Sequence, residues 1–145
     1  MTSPMTADEI IALLELKPHP EGGHFRETWR APAAGGERPS GTAIYFLLKA
    51  GEISAWHRVD ATEIWHYHAG APLRLRIRDA GAEHQHLIGA DLAAGEVPQA
   101  IVPPFAWQSA RSLGDWTLVS CTVSPGFLFE GFELAPNGWS PSSGK

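Results

Sequence analysis

A strict alternation of apolar and charged side chains at residues 73–78 (LRLRIR) most constrains the fold of this chain. Its leucines and isoleucine point to one face of an extended strand, and its arginines point to the other. This period of two is typical of a strand that is buried on one face only. Similar short runs recur about every ten residues between turn-forming residues, a pattern that indicates an all-β sandwich or barrel.

One short helix is predicted before the strands. It begins with a capping box at Thr6 and carries an apolar stripe at Ile10, Leu13 and Leu14, and Pro18 and Pro20 end it. The predicted strands are 24–30, 42–49, 53–58, 63–69, 73–78, 83–88, 99–102, 107–111, 115–124 and 129–134. We therefore expect a single domain over residues 1–145, with its core at about 6–135 and a loose tail at 136–145.

Composition excludes several classes of function. The chain has 145 residues and a net charge of -5, which argues against nucleic acid as a partner, because phosphate binding needs a basic surface. Cys121 is the single cysteine, so neither an internal disulfide nor a thiolate zinc cage can form. No apolar run approaches the ~20 residues of a membrane-spanning helix. The N-terminus has no pattern of a secretory signal, so we expect a cytoplasmic protein without membrane contact.

Residues 56–70 (WHRVDATEIWHYHAG) carry most of the chemistry. On the predicted strand, Glu63, Trp65 and Tyr67 share one face, whereas His66 and His68 share the other. The histidines of this stretch therefore do not form one cluster. His66 and His68, and on a later strand His84 and His86, are expected at the surface or at an interface.

Residues 95–108 (GEVPQAIVPPFAWQ) form the second informative stretch. The stiff turn at Pro103 and Pro104 is expected to deliver Phe105, Trp107 or Gln108 to the mouth of a barrel.

The two stretches resemble the two motifs of the cupin superfamily. The matching positions are His57, Glu63 and Gly70 in the first motif, and Gly95, Pro103 and Gln108 in the second. Residues 19–23 (HPEGG), 25–28 (FRET), 60–70 and 123–127 (VSPGF) are similar to one uncharacterised branch of that superfamily. The resemblance implies a double-stranded β-helix, or jelly-roll barrel, with a small-molecule pocket. It also implies a homodimer that buries one sheet.

Two departures from the cupin pattern bear on metal binding. Val59 and Gln108 stand where metal-binding cupins have histidines, which leaves His57, Glu63 and the Gln108 amide as ligands. Such a set is weak for zinc or iron, which prefer imidazole and carboxylate donors. We therefore expect no tightly bound metal cofactor, with a divalent metal at these three residues as the alternative.

The first functional hypothesis is a metal-independent isomerase or epimerase acting on a small, carbohydrate-like metabolite. His57 is the expected base, Glu63 would orient or protonate it, and Tyr67 would be the acid. The residues expected to contact the ligand are Trp65, Phe105 and Gln108.

Other interpretations remain open. The barrel can be a non-catalytic ligand-binding module in which a His57–Glu63 pair merely satisfies a polar core, or a metal-dependent enzyme. Cys121 is expected in the core, and either Arg26 or Glu27 reaches the pocket. The arginines of residues 73–78 form a solvated or interfacial face, or they bind an anionic ligand.

Overall fold

The computed structural model describes residues 5–136, which form two antiparallel β-sheets preceded by one helix. The elements are α1 (Ala7–Leu14), β1 (Lys17–Pro18), β2 (His24–Arg30), β3 (Thr42–Lys49), β4 (Ile53–Val59), β5 (Thr62–Gly70), β6 (Leu73–Asp79), β7 (Ala82–Ile88), β8 (Gln99–Val102), β9 (Trp107–Ser112), β10 (Trp116–Ser124) and β11 (Phe132–Leu134). Short 3-10 helices lie at Leu92–Ala94 and Phe129–Gly131.

The order of strands in the sheets is that of a jelly roll. One sheet has six strands in the order β1-β2-β3-β10-β5-β8, and the other has five in the order β11-β4-β9-β6-β7. Strands that are distant in sequence become neighbours, as in the β10–β3 and β6–β9 pairs. The predicted all-β jelly roll with a short N-terminal helix is therefore confirmed.

The apolar core lies between the inner faces of the two sheets. The alternation that the sequence predicted on β6 is present, since Leu73 and Leu75 are fully buried while the arginines between them are partly exposed. Trp65 from β5 packs edge to face on Phe46 from β3, with 5.9 Å between their centroids. Because Trp65 points into the core and side chains alternate along a strand, Glu63 lies on the inner face of β5 and His66 on its outer face.

The capping box on α1 is confirmed. The Thr6 hydroxyl accepts a hydrogen bond from the Glu9 amide at 3.2 Å, and the Glu9 carboxylate accepts one from the Thr6 amide at 2.8 Å. Ile10 is buried, and the cluster around it includes Leu47 of β3, so α1 covers the outside of the six-stranded sheet.

Three local predictions were wrong. Leu13 is 69% exposed because it lies off the side of α1 that faces the sheet. The helix ends at Leu14, where Glu15 takes a left-handed conformation, and Pro18 belongs to β1 instead of ending the helix. Of the predicted strand 129–134, only Phe132–Leu134 is extended, since Phe129–Gly131 forms a 3-10 turn. Of the predicted tail at 136–145, residues 137–145 lie outside the described residues.

Within residues 5–136, no helix is long and apolar enough to span a membrane.

Candidate functional site

A cavity lies between the two sheets, open at the end of the barrel where β2 and the segment after β10 meet. The space that the centres of water molecules can occupy in this cavity is about 60 Å³. About 10–15 Å³ by that measure holds one water, so the cavity has room for a ligand of a few heavy atoms. The polar and titratable lining residues are His19, Glu21, Glu27, Arg30, Thr42, His57, Glu63 and Cys121.

His57 lies at the floor of this cavity, on the inner face of β4, with 1% of its surface exposed. Its Nδ1 lies 2.7 Å from the Ala55 carbonyl oxygen, which can only accept a hydrogen bond. Nδ1 therefore carries the proton, and Nε2 presents a lone pair. Nε2 lies 3.4 Å from Oε1 of Glu21. The backbone of β4 thus selects the tautomer in which His57 can accept a proton.

Glu21 is the carboxyl group beside that lone pair. Its side chain is 9% exposed, and the Ser54 hydroxyl donates to Oε2. Its Oε1 also lies 3.5 Å from Nδ1 of His19, which accepts the Glu21 amide at 3.1 Å. The Glu21 carbonyl accepts the Ala55 amide at 2.7 Å, so the turn that carries Glu21 is docked on β4.

Glycine at position 22 makes this docking possible. Gly22 has a φ of +109°, a conformation that residues with a side chain rarely adopt. A Cβ at this position would collide with the Ile53 carbonyl oxygen on β4. The HPEGG stretch therefore brings its carboxyl group to His57 because its backbone can lie directly against β4.

Glu63 provides a second carboxyl group, on the inner face of β5. Its Oε1 accepts the Gln108 amide nitrogen at 2.9 Å, and the Gln108 oxygen accepts the Trp65 indole N–H at 2.8 Å. The Cys121 thiol also lines the cavity, and its proximity lowers the pKa of Glu63. The Glu63 carboxyl is thus held from behind, with its remaining surface on the cavity.

Burial changes the proton affinity of these groups in opposite directions. It raises the pKa of Glu21 to about 8 and that of Glu63 to about 7. It lowers the pKa of His57, and it lowers that of His19 to about 4, with a further contribution from nearby His57. Near neutral pH the site therefore holds neutral imidazoles beside a carboxyl group that retains its proton.

The remaining walls are apolar and the mouth is charged. Phe25, Phe46, Phe127 and Phe129 line the cavity together with aliphatic residues. At the exposed end, Glu27 is paired with Arg30 at 2.8 Å. Of the two residues that the sequence left open, Glu27 therefore reaches the cavity. Arg26 instead donates to the Leu14 carbonyl outside it.

The structure brings together three of the six residues predicted for the site. His57 and Glu63 line the cavity, and Gln108 lies directly behind Glu63. Both ends of the Gln108 amide are occupied by protein groups, so its expected contact with a ligand oxygen is not what the geometry offers. Glu63 does not hydrogen-bond His57 as expected, because the Ala55 carbonyl orients the imidazole and Glu21 faces its lone pair.

The other three predicted residues lie away from the cavity. Trp65 is 1% exposed and packs in the core. Tyr67 donates its hydroxyl to the Gly70 carbonyl at 2.6 Å, so it is not positioned as the acid. Phe105 is 62% exposed with a φ of +67°, because the turn after Pro103 directs it to the outside of the barrel.

The predicted metal ligands do not fit a metal. The Gln108 oxygen is used by Trp65, and one oxygen of Glu63 accepts from Gln108. Among residues 5–136, no group of three or more His, Cys, Asp or Glu side chains is arranged to hold a metal ion. We therefore derive no step through a metal.

Sequence analysis did not assign His19 or Glu21 to the site. The available signal was a carboxylate directly before two glycines, with His19 two residues earlier. Such a turn can approach another strand closely and carry its side chain with it.

A pH-dependent stability follows from these pKa shifts. Glu21 has a pKa of about 8 in the folded protein, against an ordinary value of 4.5, so the folded state binds more protons between these values and loses stability as pH rises through them. The lowered histidine pKa values act oppositely, but only below the ordinary histidine value of 6.5. Between pH 6.5 and 8 we expect a loss of about 2 kcal/mol from Glu21.

Urea unfolding at a series of pH values measures this effect. In Glu21→Gln the decline above pH 6.5 should become shallower, whereas in Glu37→Gln, an exposed carboxyl, it should match the parent protein. Equal slopes in all three proteins would show that Glu21 is not buried and protonated as described.

A jelly-roll barrel with titratable side chains at the floor of its cavity defines the cupin class of protein. The chain belongs to the family described as Cupin superfamily (DUF985), whose profile matches residues 8–135.

Solved structures agree with this assignment. The chain is 41% identical to a protein from Shewanella oneidensis, covering 91% of this chain and 85% of that one, with a TM-score of 0.86. It is 34% identical to a hypothetical protein from Leishmania major, covering 90% and 88%, with a TM-score of 0.83. A Bacillus subtilis oxalate decarboxylase variant, 18% identical over 81% of this chain and 29% of its own, shares the fold with a TM-score of 0.64. No curated protein matches the sequence.

Proposed function

We propose that the protein is a metal-independent isomerase of small, neutral α-hydroxycarbonyl compounds, and that His57 and Glu21 transfer the protons. The observation that carries this proposal is the pairing of an unprotonated His57 Nε2 with a Glu21 carboxyl group whose pKa is raised to about 8. A base and an acid that are both in their active forms near neutral pH are what enolisation requires.

The proposed reaction conserves its atoms and protons. His57 Nε2 removes a proton from the carbon next to the carbonyl, and the Glu21 carboxyl gives its proton to the carbonyl oxygen. The product of this step is an enediol. His57 then returns its proton to the former carbonyl carbon. Glu21 takes a proton from the hydroxyl group on the carbon that His57 deprotonated, and this carbon becomes the new carbonyl.

Size and charge of the cavity support a small neutral substrate. Water centres can occupy about 60 Å³ of the cavity, a space that suits a compound of three or four carbons better than a full sugar ring. The buried lining includes two carboxyl groups and no arginine or lysine, since Arg30 lies at the exposed mouth and is paired with Glu27. An anionic substrate would therefore meet no buried cation there.

Exchange of substrate protons with solvent tests the proposal. We expect glycolaldehyde, hydroxyacetone or dihydroxyacetone to incorporate deuterium from D2O when the protein is added, followed by NMR. His57→Gln and Glu21→Gln should each reduce the exchange rate about a hundredfold or more. His84→Asn, an exposed histidine on β7, should leave it unchanged.

The same experiment distinguishes the second candidate function, a non-catalytic ligand-binding module. Binding of these compounds without deuterium incorporation would contradict the isomerase and support the module.

The absence of a bound metal cofactor stays a prediction, and metal analysis of the purified protein tests it. Near-stoichiometric iron, manganese or zinc that is lost in His57→Gln would overturn the metal-independent mechanism.

A further inference from the structure

A groove lies on the outer face of the five-stranded sheet, on the opposite side of β4 and β9 from the cavity. Its volume is about 320 Å³ for water centres, larger than that of the barrel cavity. Arginines from two adjacent strands line it, Arg74 and Arg76 from β6 and Arg111 from β9. The chain as a whole carries a net charge of -5, so this positively charged patch is opposite in sign to the net charge of the protein.

Two of these arginines face each other without a counter-charge. Arg74 and Arg111 are direct partners in the register of β6 and β9. Like charges in this position destabilise a sheet unless something neutralises them. On the two flanking strands, Arg74 lies opposite Leu87 and Arg111 lies opposite Ile53, so neither neighbour supplies a carboxylate. Within the described residues, neither guanidinium takes part in an ion pair.

The third arginine is held in a fixed position beside this pair. Arg76 donates from Nε and Nη2 to the Glu83 carboxylate at 3.1 and 3.0 Å. Its guanidinium also lies over the Trp56 ring, 5.0 Å from the centroid. The hydroxyl of Ser109 donates to the Ser54 carbonyl, and the Gln85 amide donates to Glu83 at 3.0 Å, so the arginines are the charged donors that line the groove.

We propose that this groove is a binding site for a small oxyanion, a phosphate or carboxylate group of a metabolite, bridged by Arg74 and Arg111. Planar guanidinium groups bind such anions with paired hydrogen bonds. An anion between the two side chains removes the repulsion that the register imposes. A second copy of the chain docked symmetrically on this face would instead bring a second set of these arginines into the same interface.

Calorimetric titration of the full-length protein at low ionic strength tests the site. The probes are inorganic phosphate, pyrophosphate and citrate, and sodium chloride at matched ionic strength is the reference. We expect pyrophosphate or citrate to bind, and Arg74→Gln and Arg111→Gln each to weaken binding about tenfold. Arg78→Gln is the matched control, because Arg78 lies on the same face of β6 but outside the groove. Its affinity should stay within about twofold of the parent.

Three results would overturn the proposal. One is the absence of binding by any of the three anions at millimolar concentration. Another is an equal loss of affinity in Arg78→Gln, which would mean a diffuse charge effect instead of a site. The third is a dimer by sedimentation that dissociates in Arg74→Glu, because the face would then be covered by a second copy. The deuterium-exchange activity of the barrel should be unaffected in Arg74→Gln, so this site and the proposed isomerase can fail independently.

Discussion

Gly22→Ala is expected to destabilise the protein by about 3 kcal/mol, measured by urea unfolding. A non-glycine residue in the left-handed region costs about 1–2 kcal/mol, and forced overpacking adds about 1–3 kcal/mol. Both apply here, because Gly22 has a φ of +109° and a Cβ would collide with the Ile53 carbonyl oxygen. The collision would push the turn away from β4 and break the bond from the Ala55 amide to the Glu21 carbonyl.

Gly36→Ala is the matched control. Gly36 has a φ of +81°, but a Cβ there would meet nothing within 4 Å. Its substitution should cost only about 1–2 kcal/mol, from backbone conformation alone. Gly22→Ala should also flatten the fall in stability above pH 6.5, since the displaced Glu21 would titrate in water. Equal costs for the two substitutions would mean that the turn does not lie against β4 as described.

Gln108→Leu is expected to cost about 2–5 kcal/mol in the free energy of unfolding. The Gln108 amide joins the Trp65 indole N–H to the Glu63 carboxyl group, and all three side chains are buried. Leucine preserves much of the volume but leaves both partners without their hydrogen bonds. Each buried group that loses its partner costs about 1–3 kcal/mol.

Gln99→Leu measures the effect of the same change on the surface. Gln99 is exposed at the start of β8, where its amide lies 3.3 Å from Nδ1 of His66. Its substitution should change stability by about 0.5 kcal/mol or less. In Trp65→Phe, which removes the indole N–H, the added cost of Gln108→Leu should be smaller than in the parent protein. Additive losses would show that the two side chains are not coupled.

The sequence predicted the strands well because their signal is local. Alternation on β6 places leucines inward and arginines outward, and a single strand contains all the information needed for that pattern. The same holds for Glu63 and Trp65, which were expected on one face of β5 and are both buried. The helix end was predicted less well, because the left-handed conformation of Glu15 ends α1 before the prolines can.

The candidate site was only partly predictable. The positions of His57 and Glu63 follow from their spacing, but their relation to each other does not. Sequence neighbours suggested a His57–Glu63 hydrogen bond, whereas the folded chain places Glu21 against His57 and Gln108 against Glu63. The predicted ligand contact of Phe105 was wrong for another reason: its left-handed backbone conformation directs the side chain to the outside of the barrel.

The sequence by itself determined the class of fold and the inner face of each main strand, because side chains alternate with a period of two whatever the neighbouring strand is. Only the tertiary structure decided which carboxyl group meets the His57 lone pair. That choice depends on a turn 36 residues earlier in the chain lying directly against β4, a contact between backbones that leaves no periodic trace in the sequence. The same burial then raises the pKa of Glu21, so its proton affinity is a property of the folded cavity.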